Sequence, residues 1–221
     1  MRIVKHIPNT ITCLNLLSGV MGIIVLFGGR PDQAFFLMLA AAVFDFCDGL
    51  AARALGAYSE LGKELDSLAD MVSFGVLPAM MLFVGTNHPY LRFVTLLLVA
   101  FSALRLAKFN LDERQAMGFI GLPTPANALF WGALLVGAGD WLQSSPYLYY
   151  TVFAGMLVSC YLLIAEIPMF ALKFKHWGWK GNEIKYIFLL TCIPLLAFLG
   201  ISGLAAIIAW YIILSIATYK K

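Results

Sequence analysis

Asp45, Asp48, Asp66 and Asp70 fall in one short stretch bounded by long apolar runs, with Arg53 between the two pairs. A charge inside a bilayer costs about 2.5–3.5 kcal/mol on insertion scales, so an ionisable residue there is a functional hypothesis by default. Four neighbouring carboxylates also repel one another, and Arg53 can offset at most one of them. Divalent cations are the natural counter-charge. Hard carboxylate oxygens suit Mg2+, Mn2+ or Ca2+, and an all-oxygen set does not choose among the three. The stretch reads as a site for metal-assisted chemistry.

Two other readings of the same acids stay open at this point. One is a structural ion pair or a water-filled vestibule. The other is a carboxylate-lined ion or proton transporter, which also carries Asp within the membrane. Against transport, the outer halves of the flanking segments lack polar residues that could continue a path.

The rest of the chain must carry these residues to one place. The protein has 221 residues, 62% of them hydrophobic and 12% charged. That apolar share exceeds the ~45–50% of soluble domains and is gathered into runs of membrane-spanning length. A net charge of +3 without a basic tract gives no case for a nucleic-acid partner. Asn9, Thr12 and Asn15 interrupt the first apolar run, which reaches span length, so the N-terminus is not expected to be a cleaved signal. Cys13, Cys47, Cys160 and Cys192 lie in apolar segments at no metal-ligand spacing and read as small apolar fillers.

Eight transmembrane helices are expected, at about 11–28, 34–54, 66–85, 91–109, 125–142, 148–166, 184–199 and 202–218. Each crosses or nearly crosses ~30 Å of hydrocarbon at about 1.5 Å per residue. Residues 200–203, Gly-Ile-Ser-Gly, form the turn between the last two. With both termini cytoplasmic, the inner segments hold Arg2, Lys5, Arg53, Lys63, Arg105, Lys108, Arg114, Lys173, Lys175, Lys180, Lys185, Lys220 and Lys221. The outer loops hold only Arg30 and Arg92. This is the bias that the positive-inside rule requires.

The topology puts the acids at the cytoplasmic ends of the second and third helices. At about 100° per residue, Asp45, Asp48, Gly49 and Ala52 share one face, and Gly62, Asp66, Asp70 and Ser73 share another. Two adjacent antiparallel helices can aim all four carboxylates into one pocket. Small Gly49, Ala52 and Gly62 permit close approach of a ligand or partner backbone. Other polar groups gather on the same side: Asn9 and Thr12 on the first helix, Arg105, Lys108 and Asn110 closing the fourth, and Glu166 at the inner end of the sixth. His176, Trp177 and Trp179 read as a headgroup-level belt, and Asp112, Glu113 and Arg114 as a solvated loop.

The pattern Asp45-x2-Asp48-Gly49-x2-Ala52-Arg53-x8-Gly62-x3-Asp66-x3-Asp70 resembles the signature of the CDP-alcohol phosphotransferase family at every fixed position. Further text is similar to the serine-using bacterial branch: Asn9 after Ile7-Pro8, Ser73 within 62–75, Arg105 and Asn110 within 103–110, and residues 121–125, Gly-Leu-Pro-Thr-Pro. The resemblance implies a single transmembrane catalytic domain over 1–221, with six core helices in about 8–166, two extra helices in about 184–218, and a homodimeric state. It also implies an enzyme of the inner cell membrane with its active site facing the cytoplasm. Asp45, Asp48, Asp66 and Asp70 would hold one or two metals on the diphosphate of CDP-diacylglycerol. Asp70 would also act as general base. Asn9, Thr12, Gly49, Ala52, Arg53, Gly62 and Ser73 would meet the CDP-lipid.

The implied reaction moves a phosphatidyl group to the hydroxyl of L-serine. Such transfer needs charge neutralisation and in-line positioning, and a weak hydroxyl nucleophile needs a base within reach. Arg105, with Lys108 or Asn110, could bind the serine carboxylate, since Arg suits two-point recognition of carboxylates. Glu166 could meet the ammonium. A bland reading of Arg105 is a snorkelling interfacial cation. Acceptors carrying their own phosphate, glycerol phosphate or inositol phosphate, would use the same eight signature residues and the same basic groups.

Overall fold

Prolines open the first two helices. Pro8 lies in the first turn of α1 (Ile7–Phe27) and Pro31 begins α2 (Pro31–Ala54), positions where a missing N–H leaves no bond unmade. The computed structural model describes residues 6–112, 119–143, 146–170, 178–179 and 181–218. Arg2, Lys5, Glu113, Arg114, Lys173, Lys175, His176, Trp177, Lys180, Lys220 and Lys221 lie outside the described residues.

Ser59 caps α3 (Glu60–Asp70), its Oγ accepting from the Gly62 N–H at 3.0 Å. This helix starts earlier than the expected residue 66. Its first turns carry Glu60, Lys63 and Glu64, so a hydropathy threshold misses them although the cap starts the helix. Gly62 consequently sits inside the first turn rather than at the end of a link. α3 passes into a π-helical segment (Met71–Val76) and then α4 (Leu77–Gly85). Pro78 follows directly. It cannot donate to the carbonyl of Phe74 and its ring crowds that carbonyl, which favours the wider turn.

The expected fourth helix is broken. α5 (Leu91–Val94) stops where the Thr95 hydroxyl donates to the Arg92 carbonyl at 2.6 Å, a local bond that competes with the helical ladder. α6 (Leu97–Leu111) then runs to the acid side, followed by α7 (Thr124–Gln143), α8 (Pro146–Ile164), α9 (Glu183–Leu199) and α10 (Ser202–Ala217). One feature departs from an all-helical reading. β1 (Phe119–Ile120) pairs antiparallel with β2 (Pro168–Met169), setting Phe119 opposite Met169.

Four helical stretches are long and apolar enough to cross a membrane: Ile7–Phe27, Pro31–Ala54, Glu60–Gly85 and Leu91–Leu111. Tyr150–Ile164 and Ser202–Ala217 are shorter apolar helices. Large apolar side chains such as Phe46, Leu104 and Phe198 remain exposed on the outside of the bundle, which is what a lipid-facing surface requires. The protein is an all-helical integral membrane protein in its described residues, apart from that two-residue ribbon.

α1 packs along α2, and both the α3–π–α4 rod and α7 lie against them. One core joins Leu26, Phe35, Met38, Phe74, Leu77, Met81 and Ala128. A second, around Trp131, links α4 and α6 to α7 and α8, with the Trp131 Nε1–H donating to Ser159 Oγ at 3.1 Å. α10 packs on α7 and α9. The first core joins α1 and α2, which carries Asp45 and Asp48, to the segment that follows Asp70.

α1 and the π segment approach closely at Gly19. A Cβ on Gly19 would meet the Ser73 hydroxyl and lie 2.9 Å from the Ser73 Cα. Only a residue without a side chain lets α1 seat there.

Candidate active site

α2 delivers Asp45 and Asp48 one turn apart, and α3 delivers Asp66 opposite them. One carboxylate oxygen from each of Asp45, Asp48 and Asp66 lies within 4.8 Å of the other two. The Asp45 and Asp66 carboxyl groups are within hydrogen-bonding reach of each other. Carboxyl groups held this close cannot all stay ionised unless a cation or a shared proton relieves their repulsion.

The donor set fits a hard divalent cation. All three groups offer oxygen, the ligand that Mg2+, Mn2+ and Ca2+ take. The Asp66 Oδ1 atom is buried and accepts no hydrogen bond among the described residues, although an unsatisfied buried polar atom costs about 1–3 kcal/mol and more when charged. A divalent cation held by the triad would supply the missing partner.

Asp70 stands apart from the triad. It is buried, 7% exposed, and accepts from Asn15 Nδ2 at 3.1 Å through Oδ1. It remains in electrostatic range of Asp45, Asp66 and Asp48. The two aspartates of α3 therefore occupy different settings: Asp66 in the triad, Asp70 one turn deeper and held from α1.

A cavity of about 440 Å3 opens beside the triad. Its lining includes Asn9, Thr12, Asp48, Gly49, Ala52, Gly62 and Asp66, all expected from the sequence. Pro8, Ala57, Tyr58, Ser59, Glu60 and Lys63 complete it. The volume is in the range of small-molecule sites. Thr12 closes its floor, its Oγ1 donating to Asp48 Oδ2 at 2.6 Å.

Two of the residues expected to meet the CDP-lipid, Arg53 and Ser73, do not line the cavity. Arg53 is exposed, and its guanidinium sits 3.6 Å from where a Gly49 Cβ would stand. Ser73 is fully buried and donates to the Asn15 carbonyl at 3.0 Å. It serves the α1–π contact and does not line the cavity: it faces Asn15, as Asp70 does, and Gly19 packs over it.

Arg105, Lys108 and Glu166 do converge, on a small cleft shared with Asp112 and Ala165. Arg105 is only 5% exposed, so it is not a snorkelling surface cation. Its Nε donates to the Leu122 carbonyl at 3.3 Å, and Cζ lies 4.7 Å over the Phe109 ring. Asp70 is within its electrostatic range. Lys108 Nζ donates to the Ile164 carbonyl at 3.2 Å. Asn110 is not in this cleft: its Nδ2 donates to Ser67 Oγ at 2.8 Å and its carbonyl accepts from Lys63 Nζ at 2.8 Å. It ties the end of α6 to α3.

The sequence reading uses Asn15 only to argue against a cleaved signal. The structure makes it the direct partner of Asp70. The available signal was phase, since Pro8, Thr12, Asn15 and Gly19 lie on one stripe of α1. The small β1–β2 ribbon was also missed. It fixes the loop before α7, with Gly121 at φ +77° and its N–H donating to the Ile167 carbonyl at 2.9 Å.

A helical membrane bundle with an acid-lined chamber of this kind is a scaffold for handling an anionic group beside lipid. Residues 5–161 match the CDP-alcohol phosphatidyltransferase family, and the chain belongs to that family. It is 32% identical over 216 residues to a protein of Methanocaldococcus jannaschii, covering 97% of this chain and 94% of that one. It is 33% identical over 182 residues to one of Bacillus subtilis, covering 81% and 95%. A Mycobacterium leprae protein is 36% identical over 177 residues, covering 74% of this chain and 57% of its own length, so the chain spans little more than half of that relative. All three relatives are named CDP-diacylglycerol–serine O-phosphatidyltransferase.

Proposed function

We propose that this protein transfers the phosphatidyl group of CDP-diacylglycerol to L-serine, giving phosphatidylserine and CMP. The observation that carries the reading is the Asp45–Asp48–Asp66 triad, whose Asp48 and Asp66 line a cavity of about 440 Å3, with Asp70 one turn further along α3. The names of the relatives supply the acceptor.

Asp45, Asp48 and Asp66 would hold a divalent metal, Mg2+ or Mn2+, and Asp70 would complete a second position. When bound, the metal neutralises the diphosphate and supports in-line displacement at phosphorus. Asn9, Thr12, Gly49, Ala52 and Gly62 receive the CDP portion in the cavity. Arg105 receives the serine carboxylate, with Lys108 and Glu166 at the mouth of the same cleft. Asp70 takes the proton of the serine hydroxyl as its oxygen bonds to the phosphatidyl phosphorus. The bond from that phosphorus to the bridging oxygen breaks, and CMP leaves with the oxygen and both electrons.

In the same reading the domain is one transmembrane unit over 1–221 with eight spans, both termini cytoplasmic, in the inner cell membrane and as a homodimer. A water-soluble amino acid and a lipid-linked nucleotide then meet at the cytoplasmic mouth.

An acceptor panel tests the reading: serine, glycerol 3-phosphate, inositol 1-phosphate and ethanolamine, each with CDP-diacylglycerol and Mn2+ or Mg2+. CMP release with serine is expected. Release only with a phosphorylated acceptor would replace serine in the assignment, and none with any acceptor would remove the transferase reading.

A further inference from the structure

Asn15 meets the acid site twice. Its Nδ2 donates to Asp70 Oδ1 at 3.1 Å, and its main-chain carbonyl accepts from Ser73 Oγ at 3.0 Å. The residue is fully buried. Gly19, one turn further along α1, lets the helix seat against Ser73, so the Asn15 amide is presented to Asp70 by tightly packed backbone.

The other end of that amide is unpaired: Asn15 Oδ1 is buried with no hydrogen-bond partner among the described residues. A buried amide kept for packing alone is normally satisfied at both ends. An amide N–H can only donate, so it holds a carboxylate oxygen and fixes the plane of the group.

We infer that Asn15 is a positioning residue for Asp70, holding Oδ1 so that Oδ2 is the atom presented to the acceptor hydroxyl. This rests on Asp70 as the general base proposed above. The proton moves from the acceptor oxygen to Asp70 Oδ2, and Asn15 itself exchanges nothing. Its role parallels that of the groups that orient ligands and bases from the side in other sites.

The test uses the full-length protein in detergent–lipid micelles with CDP-diacylglycerol, serine and Mn2+. Asn15→Leu and Asn15→Asp keep the approximate shape and remove the N–H donor. In both, kcat is expected to fall roughly 10–100-fold, the usual effect of losing an outer partner. For Asn15→Leu, the KM for CDP-diacylglycerol and the Mn2+ concentration for half-maximal rate should stay within about two-fold, which a general loss of structure would not allow. An unchanged kcat in either folded variant overturns the inference. So does a loss that falls on the CDP-diacylglycerol KM with kcat retained, or a failure of both variants to fold, since each makes Asn15 a binding or structural residue. Asp70→Asn separates the underlying reading. If it keeps full turnover, the base assignment itself falls. If it is inactive while the Asn15 variants turn over normally, the base stands and the positioning role does not.

Discussion

The Thr12 hydroxyl donates to Asp48 Oδ2 across 2.6 Å, so α1 closes onto α2 at the floor of the acid-lined cavity. Both residues are buried, Thr12 at 3% and Asp48 at 6% exposure. A bond to a charged partner in such a place contributes about 1.5–3 kcal/mol. Thr12→Val keeps the shape and removes the donor. It should lower kcat/KM for CDP-diacylglycerol about tenfold, equivalent to ~1.4 kcal/mol, while Thr12→Ser stays close to the parent. Rates of CMP release decide it, and equal rates for Val and Ser would show that the bond is idle.

Removal of metal should abolish turnover. Chelation with excess EDTA is expected to reduce CMP release to background, and added Mg2+ or Mn2+ to restore it. Asp66→Asn keeps the size of the side chain but weakens the triad, so it should lose activity by about 100-fold or more and need a higher metal concentration. Full activity after exhaustive chelation would rule the triad out as a metal site.

Arg105→Ala should raise the serine KM at least about tenfold more than the CDP-diacylglycerol KM. Arg105→Lys should recover only part of the loss, because a point charge does not reproduce the two-point fork. Equal effects on both KM values would assign Arg105 to holding the Leu122 turn and nothing more.

Gly19→Ala tests the helix contact. The added methyl has no space beside Ser73, and overpacking of this kind costs roughly 1–3 kcal/mol. At about 2–4 °C per kcal/mol for a chain of this size, the unfolding midpoint in detergent should drop by several degrees. An unchanged midpoint would mean that α1 shifts at no cost.

Orientation can be read with single cysteines in a background lacking the native four. Asp32→Cys, next to the link between α1 and α2, should react with a membrane-impermeant maleimide on intact spheroplasts. Tyr58→Cys, between α2 and α3 where the parent side chain is 73% exposed, should react only after permeabilisation. The reverse pattern would invert the topology.

Much of this arrangement was legible in the amino-acid order. Asp45, Asp48 and Asp66 could be set face to face from helical phase, since 3.6 residues per turn fixes which side chains share a side. Asn9, Thr12, Gly49, Ala52 and Gly62, which the family resemblance points to, line the cavity. What was hidden depended on features that phase arithmetic does not contain. Ser73 keeps the Asp70 side of its helix, but Asn15 and Gly19 of α1 pack onto it and shut it from the cavity. Asn110 has the same reach as its neighbours, but Ser67 and Lys63 claim it. The first turns of α3 are polar, so their helicity was invisible to hydropathy and rested on Ser59. The Asn15–Asp70 bond joins residues 55 apart in sequence, and no local pattern announces it.

The buried positions of α1 are Pro8, Thr12, Asn15, Gly19, Gly22 and Leu26. They form one stripe, while Leu14, Leu17, Met21 and Ile24 are exposed. This helix should therefore accept many replacements on its outer side but scarcely any change of length. One residue inserted between Thr12 and Asn15 would rotate everything after it by about 100°, separating the cavity floor from the hold on Asp70 and both from the Gly19 seat. No single substitution elsewhere could undo that. Natural variation in α1 should run through exchanges at its outward positions, with insertions and deletions confined to the links at its ends.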